Sequence, residues 1–174
     1  MRIDGCEHSF QELAHKVLPA YLDTLRERMA SPKLMSDFGV KGVGPVALQR
    51  RWDLDKDPGG CYVLIDASRP VYVGISKVVI QRLRDHVLGG DHLVATLAYR
   101  IAATKHPHGM TASLAMKDTE FLMRFHESRN YLMSLSTGWV EIANPFELYL
   151  FEPYCAKELG AGIDTGGWNT FETH

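Results

Sequence analysis

Apolar residues recur at helical spacing near the start of the chain and then give way to turn-forming residues. Ser9 begins the sequence S-F-Q-E, a capping box, and the pattern after it predicts a helix to about Met29. Pro19 lies inside this pattern and should kink or divide the helix. Residues 31–60 are rich in glycine and proline and predict loops around one short helical piece near Val46–Arg51.

Three short runs of strand-forming residues follow. Cys61–Asp66 and Val71–Ile75 flank the four residues Ala67–Pro70, which predicts an antiparallel hairpin with a four-residue loop. Trp139–Ile142 predicts a third strand. Together these runs predict a small antiparallel sheet of three strands.

Helical periodicity returns between and after these strands. It predicts helices from Ser76 to about Leu88, over Asp91–Thr104 and from Asp118 to about Leu135. Asn144-Pro145 has the form of an N-cap followed by proline at the first helical position, so a last helix should run to about Leu159. The predicted fold class is α+β: a three-stranded antiparallel sheet flanked by helices, with an N-terminal helical extension and a helical insertion.

Composition narrows the class of protein without naming a function. The 174 residues are enough for one domain, or for one domain and a subdomain, and 45% hydrophobic with 23% charged residues is typical of soluble globular chains. The absence of a long apolar run predicts no membrane span, and MRIDGCEHSF has no apolar signal-peptide core. Cys6, Cys61 and Cys155 are odd in number and far apart, which favours reduced thiols and a cytoplasmic protein.

Charge is distributed unevenly along the chain. The net charge is −2, so the chain as a whole gives no support for nucleic-acid binding. Residues 61–105, however, carry six basic and three acidic side chains, a modestly basic segment in a chain that is otherwise neutral or acidic. An anionic partner and a solvated helix face both explain this segment.

Two tyrosines lie on the predicted hairpin in positions that are related by strand geometry. Side chains alternate across a strand, so Tyr72 and Gly74 share one face. If Tyr62 pairs near Gly74, both tyrosines point the same way, and the missing side chain of Gly74 leaves a shallow polar pocket beside Tyr62. On the next helix, Arg82 and His86 are four residues apart and share a stripe.

Five features follow one another along residues 59–174, which is about two thirds of the chain. They are Gly60-Cys61-Tyr62, Tyr72-Val73-Gly74, Arg82, Glu147 and Asn169. In this order and spacing the chain resembles the GIY-YIG nuclease family. The middle residues of the two tripeptides, Cys61 and Val73, differ from those of the family, but both positions require only an apolar side chain.

The resemblance implies a metal-dependent endonuclease that hydrolyses phosphodiester bonds in DNA with Mg²⁺ or Mn²⁺. Tyr62 would be the general base toward the attacking water, and Tyr72 would orient water or phosphate. Arg82 would contact the scissile phosphate, and Glu147 would be the single metal ligand. Asn169 would support the site. The nuclease domain would span 59–174 with its insertion at about 91–135, leaving 1–58 as an extension. A stand-alone chain of this kind looks like the restriction-type members that serve bacterial defence.

Other charged residues near these positions have two interpretations. Lys77, Arg84 and His86 are candidates for DNA contact or catalytic assistance, and a surface position without function explains each about as well. Glu152, later on the last helix, is expected to be solvated, and Glu141 to be a residue at a strand edge.

Two other classes of function stay open at this point. One is a nucleic-acid-binding module that keeps the fold without cleavage. The other is a structural or interaction protein with a chance match to the motif, in which the N-terminal helix could form a homodimer or partner surface. DNA is the expected partner.

Overall fold

A computed structural model describes residues 3–171, and these divide into two compact units that interleave along the chain. The first unit contains the described residues up to Lys33, Lys56–Val79 and the residues from Ser136 onward. The second contains Leu34–Asp55 and Ile80–Leu135. The N-terminal helical segment and the hairpin therefore belong to the same unit. The predicted domain boundary at residue 58 stays a prediction.

The α+β class is confirmed, although the sheet has four strands and not three. The strands are β1 (Lys33–Leu34), β2 (Gly60–Asp66), β3 (Arg69–Ser76) and β4 (Ser136–Glu141), in the spatial order β1-β4-β2-β3. β2 pairs antiparallel with β3, as the predicted hairpin requires, and it also pairs antiparallel with β4. β1 is missing from the prediction because two residues are too few to establish an alternation of apolar and polar side chains.

The hairpin loop is shorter than the sequence suggested. Asp66 pairs with Arg69, so the loop consists of Ala67 and Ser68 alone, and the prediction of a four-residue loop is wrong. Both loop residues have positive φ, +44° and +73°, the conformation of the two-residue turns that match the twist of paired strands. A register shift between Leu64 and Ile65 accommodates the pairing near the loop.

Three helical segments begin the first unit. Ser9 forms the predicted capping box with Glu12 at the start of α1 (Phe10–Glu12). A π-helical segment (Leu13–Val17) follows, and α2 (Leu18–Ala30) carries Pro19 in its first turn. The expected division of the helix at Pro19 thus takes the form of a widened turn immediately before it.

The late helix α9 (Pro145–Glu158) completes the first unit. Asn144 caps it as predicted, its side-chain oxygen accepting hydrogen bonds from the backbone N–H groups of Phe146 and Glu147 at 2.9 and 3.1 Å. A short 3₁₀ turn (Ile163–Thr165) follows. The core between α2, α9 and one face of the sheet consists of apolar side chains: Leu18, Leu22, Leu25, Cys61, Val63, Ile65, Val73, Val140, Ile142, Leu148, Phe151 and Cys155.

The second unit is helical. Its elements are α3 (Met35–Phe38), α4 (Pro45–Arg51), α5 (Val79–Leu88, from Ile80 within this unit), α6 (Thr96–Lys105), α7 (Ala112–Ala115) and α8 (Thr119–Ser134). The Asp118 side chain caps α8 by accepting from Phe121 N–H at 2.8 Å. α6 begins five residues later than expected because the Asp91 carboxylate accepts from Leu93 and Val94 N–H and forms a turn. No helix within residues 3–171 is long and apolar enough to cross a membrane.

Candidate active site

Tyr62 and Tyr72 lie together on one face of the β2–β3 hairpin. Tyr62 pairs directly with Gly74 across the two strands, which is the condition under which both tyrosines were expected to share a face. The centroids of the two tyrosine rings are 6.2 Å apart, with an interplanar angle of 55°. The hairpin therefore brings the two tyrosines into contact.

Gly74 provides the space in which the Tyr62 ring lies. A Cβ atom at position 74 would be 2.6 Å from the Tyr62 hydroxyl oxygen and 2.7 Å from its Cζ. Both distances are shorter than real side-chain contacts allow, so a glycine is needed here. The prediction of a shallow polar pocket beside Tyr62 is wrong, because the Tyr62 ring itself occupies the space beside Gly74. Tyr62 is 1% exposed, whereas Tyr72 is partly exposed.

Asn169 holds the outer edge of β3. Its side-chain oxygen accepts a hydrogen bond from Val73 N–H at 2.7 Å, and its Nδ2 donates to the Val73 carbonyl at 2.8 Å. The backbone N–H of Trp168 donates to the Val71 carbonyl at 2.7 Å. The tail thus stabilises the strand that carries Tyr72 from its open side.

Glu147 lies in the first turn of α9 and is 6% exposed. The hydroxyl of Tyr21, on α2, donates to its Oε2 at 2.8 Å. The thiol of Cys6 lies 3.5 Å from Oε1, and His8 Nε2 lies 3.8 Å from the same oxygen. Burial and the hydrogen bond to the Glu147 carboxylate together raise the pKa of Tyr21 to about 12. Sequence reasoning missed Tyr21 and Cys6 as partners of this carboxylate.

The structure does not bring Glu147 together with the tyrosine pair. α9 packs with Cys61, Val63 and Val73 on one face of the sheet. Tyr62 and Tyr72 alternate with these residues along their strands and point to the opposite face. Glu147 contacts α2 and the N-terminal segment, on the face of the sheet that α9 covers.

Glu152 is half-buried, so the expectation of a solvated side chain is wrong. Burial, a hydrogen bond with Cys155 and then the negative charge of Glu152 raise the pKa of the Cys61 thiol. Glu152 follows Leu148 by four residues and precedes Cys155 by three, so these side chains share a stripe of α9. That spacing is a feature of the sequence that could have indicated its position.

Lys77 is exposed and follows the end of β3. Tyr62, Tyr72, Gly74, Glu147 and Asn169 lie with it in the first unit, whereas Arg82, Arg84 and His86 belong to the second.

Within the second unit, the basic residues of α5 have specific partners. The Arg82 guanidinium donates to the Val94 carbonyl at 3.0 Å and to Thr96 Oγ1 at 2.6 Å, at the start of α6. Arg84 donates to the backbone carbonyls of Phe38, at 3.1 Å, and of Val43. The interpretation of Arg84 as a solvated surface residue is therefore wrong, since its guanidinium joins α5 to the last residue of α3 and to the segment that follows it.

His86 is fully buried, so a surface position is wrong for it as well. Burial lowers its pKa to about 3, and the positive charges of Arg82 and Arg100 contribute in the same direction. His86 is therefore neutral at physiological pH. A neutral, buried imidazole is not a phosphate-binding cation.

The resemblance implies a divalent metal with Glu147 as its ligand, and in the structure this carboxylate is engaged by other side chains. Both carboxylate oxygens already contact side chains of this chain. No group of three or more His, Cys, Asp or Glu side chains in residues 3–171 is arranged to hold a metal ion. A metal bound through a single carboxylate and water would leave no such group.

Comparison of the chain with protein-family profiles, with curated proteins and with solved structures finds no match.

Proposed function

We propose that this chain is an endonuclease of the GIY-YIG type that hydrolyses phosphodiester bonds in DNA and requires Mg²⁺ or Mn²⁺. The observation that carries the proposal is the pairing of Tyr62 with Gly74, which places a second tyrosine, Tyr72, against the first. This arrangement needs Gly74 on steric grounds, and the same three residues form the core of the sequence resemblance.

The two tyrosines differ in exposure, and this difference suggests separate roles. Tyr72 is partly exposed, so its hydroxyl is the one that solvent and substrate reach. Tyr62 is buried against Gly74 and would position Tyr72. The pKa of tyrosine is ordinarily about 10. A tyrosine that only orients a water molecule can keep this pKa, whereas one that takes a proton from the water needs a lower pKa. Arg82 would supply the planar donor group for phosphate.

The metal requirement comes from the resemblance, and substitution of Glu147 tests whether its carboxylate binds the metal. Glu147→Gln keeps an oxygen that can accept from Tyr21, so it should leave nicking largely intact if Glu147 is a structural residue. Loss of nicking by Glu147→Gln, with an unchanged melting temperature, would instead identify Glu147 as the ligand.

The experiment incubates the purified chain with supercoiled plasmid and with single-stranded DNA, in Mg²⁺, in Mn²⁺ and in a chelator. Metal-dependent nicking is expected for the wild type and for the control Arg26→Ala, which removes an exposed arginine outside the site. Tyr72→Phe and Arg82→Ala should lose at least about 100-fold in rate, since groups that position the attacking water or stabilise charge on the phosphate each contribute on that scale. The absence of nicking by the wild type, or nicking by these variants at the wild-type rate, would refute the proposal that the chain is an endonuclease.

A non-cleaving nucleic-acid-binding protein is the second candidate. It is favoured by the engagement of the Glu147 carboxylate with Tyr21 and Cys6, which leaves the expected metal ligand occupied. A gel shift without nicking in either metal would select this candidate. Neither a shift nor nicking would favour an interaction protein, and sedimentation analysis would then test the possible homodimer.

A further inference from the structure

A cavity of about 650 Å³ opens in the first unit where β2 begins and β3 and β4 end. Its apolar wall includes Ile75 from β3, Ile142 after β4 and Leu148 from α9. The volume is within the range of about 300–1,000 Å³ that is typical of small-molecule sites. None of the tyrosines of the candidate active site lines it.

Tyr149 gives this cavity an aromatic surface. It is in the first half of α9 and lines the cavity, yet it is 69% exposed. An exposed ring beside an apolar wall is a surface on which a planar group can stack, and nucleobases stack on tyrosine irrespective of their identity.

The charged residues of the cavity are of both signs. Lys56 and Lys77 are exposed and line it together with the carboxylates of Asp57 and Glu141. A site for the phosphate backbone alone would be uniformly basic, because carboxylates repel phosphate. A nucleotide offers both kinds of partner, since its phosphates suit lysine and its exocyclic amino groups donate hydrogen bonds to a carboxylate such as that of Glu141.

We propose that this cavity binds an unpaired nucleotide of the DNA substrate. Its base stacks on Tyr149 against the apolar wall, and its flanking phosphates contact Lys56 and Lys77. A paired base cannot expose its face in this way, so the cavity favours single-stranded or locally opened DNA. The inference rests on the proposed function as far as DNA is the substrate, and it adds the strand state that the protein recognises.

Binding is measured in a chelator, so that cleavage plays no part in the result. Fluorescence anisotropy measures the binding of a fluorescein-labelled single strand and of its duplex. The free mononucleotide dCMP is tested as a competitor of the labelled single strand. A strand containing 2-aminopurine reports stacking through quenching of its fluorescence. The single strand should bind at least tenfold more tightly than the duplex, and dCMP should compete only weakly because it lacks neighbouring phosphates.

The variants separate stacking from charge. Tyr149→Ala should weaken single-strand binding at least about tenfold and abolish the quenching, whereas Tyr149→Phe should preserve both. Phe10→Ala, which removes an aromatic side chain that is 71% exposed on α1, is the matched control and should bind as the wild type does. Replacing Lys56 and Lys77 by alanine should reduce the slope of log affinity against log salt by roughly 0.7 for each lysine.

The two proposals fail in different ways. Wild-type affinity for Tyr149→Ala, or equal affinity for single strand and duplex, would overturn the nucleotide site even if the wild type nicks DNA. Tyr149-dependent binding without nicking in Mg²⁺ or Mn²⁺ would uphold the nucleotide site and refute the endonuclease. Tight binding of dCMP alone would also overturn the inference, by indicating a free nucleotide as the ligand.

Discussion

Gly74→Ala is the perturbation that most directly tests how the tyrosine pair is built. The added methyl group would lie 2.6 Å from the Tyr62 hydroxyl oxygen, 2.7 Å from Cζ and 3.0 Å from Cε1 of Tyr72. Tyr62 is almost fully buried, so its ring cannot move aside without displacing its neighbours. Overpacking of this kind reduces the free energy of unfolding by about 1–3 kcal/mol.

The corresponding change in melting temperature follows from the size of the chain. A loss of 1 kcal/mol lowers the melting temperature of a domain of about 150–250 residues by roughly 2–4 °C, so Gly74→Ala should melt about 2–12 °C below the wild type. Urea denaturation and thermal melts followed by circular dichroism measure the change. Gly109→Ala is the control, because a Cβ at that exposed position meets no atom within 4 Å.

A double-mutant cycle identifies the cause of the loss. Tyr62→Leu removes the ring that the new methyl group would meet, so Gly74→Ala should cost less than about 1 kcal/mol in that background. The two substitutions would then be strongly non-additive, with a coupling free energy of about 1 kcal/mol or more. Additivity within about 0.5 kcal/mol would refute the inference that Gly74 exists to accommodate Tyr62.

Three further substitutions test contacts elsewhere. Tyr21→Phe removes the donor to Glu147 and should reduce the free energy of unfolding by about 1.5–3 kcal/mol in urea at pH 7. Because the pKa of Tyr21 is raised to about 12 in the folded chain, this difference from the wild type should shrink between pH 10 and 12. The pKa of His86 is about 3 when folded, so its contribution to stability is present above pH 6.5 and is lost as the pH falls toward 3. His86→Leu should therefore flatten the acid side of the stability profile by up to about 1.4 kcal/mol per pH unit. Asn169→Ala should speed hydrogen exchange at the Val73 amide, and an unchanged exchange rate would contradict its role at the edge of β3.

Local rules of sequence predicted the parts of the fold that depend on neighbours in the chain. The capping box at Ser9 and the cap at Asn144 follow from short-range hydrogen bonds, and the structure confirms both. The register of the hairpin was not predicted, because a four-residue loop would place Tyr62 opposite Ile75, whereas the observed two-residue loop with its register shift places it opposite Gly74.

Parts of the candidate site that depend on distant segments could not be predicted in this way. Glu147 meets Tyr21, a residue 126 positions earlier, and no local pattern indicates which helix covers that side of α9. His86 is a different case, because its burial was within reach of the sequence. It lies three residues after Leu83 and next to Val87, on the buried stripe of α5, so the helical period placed it inside.

The side chain of Asn169 has a consequence for how this protein behaves at high concentration. β3 is an edge strand of the sheet, and an exposed strand edge is a template on which another chain can add a strand. The Asn169 amide occupies both backbone groups of Val73, and Trp168 occupies the Val71 carbonyl. A second chain would have to displace this tail before it could extend the sheet there. Removing the last few residues from Trp168 onward should therefore increase aggregation.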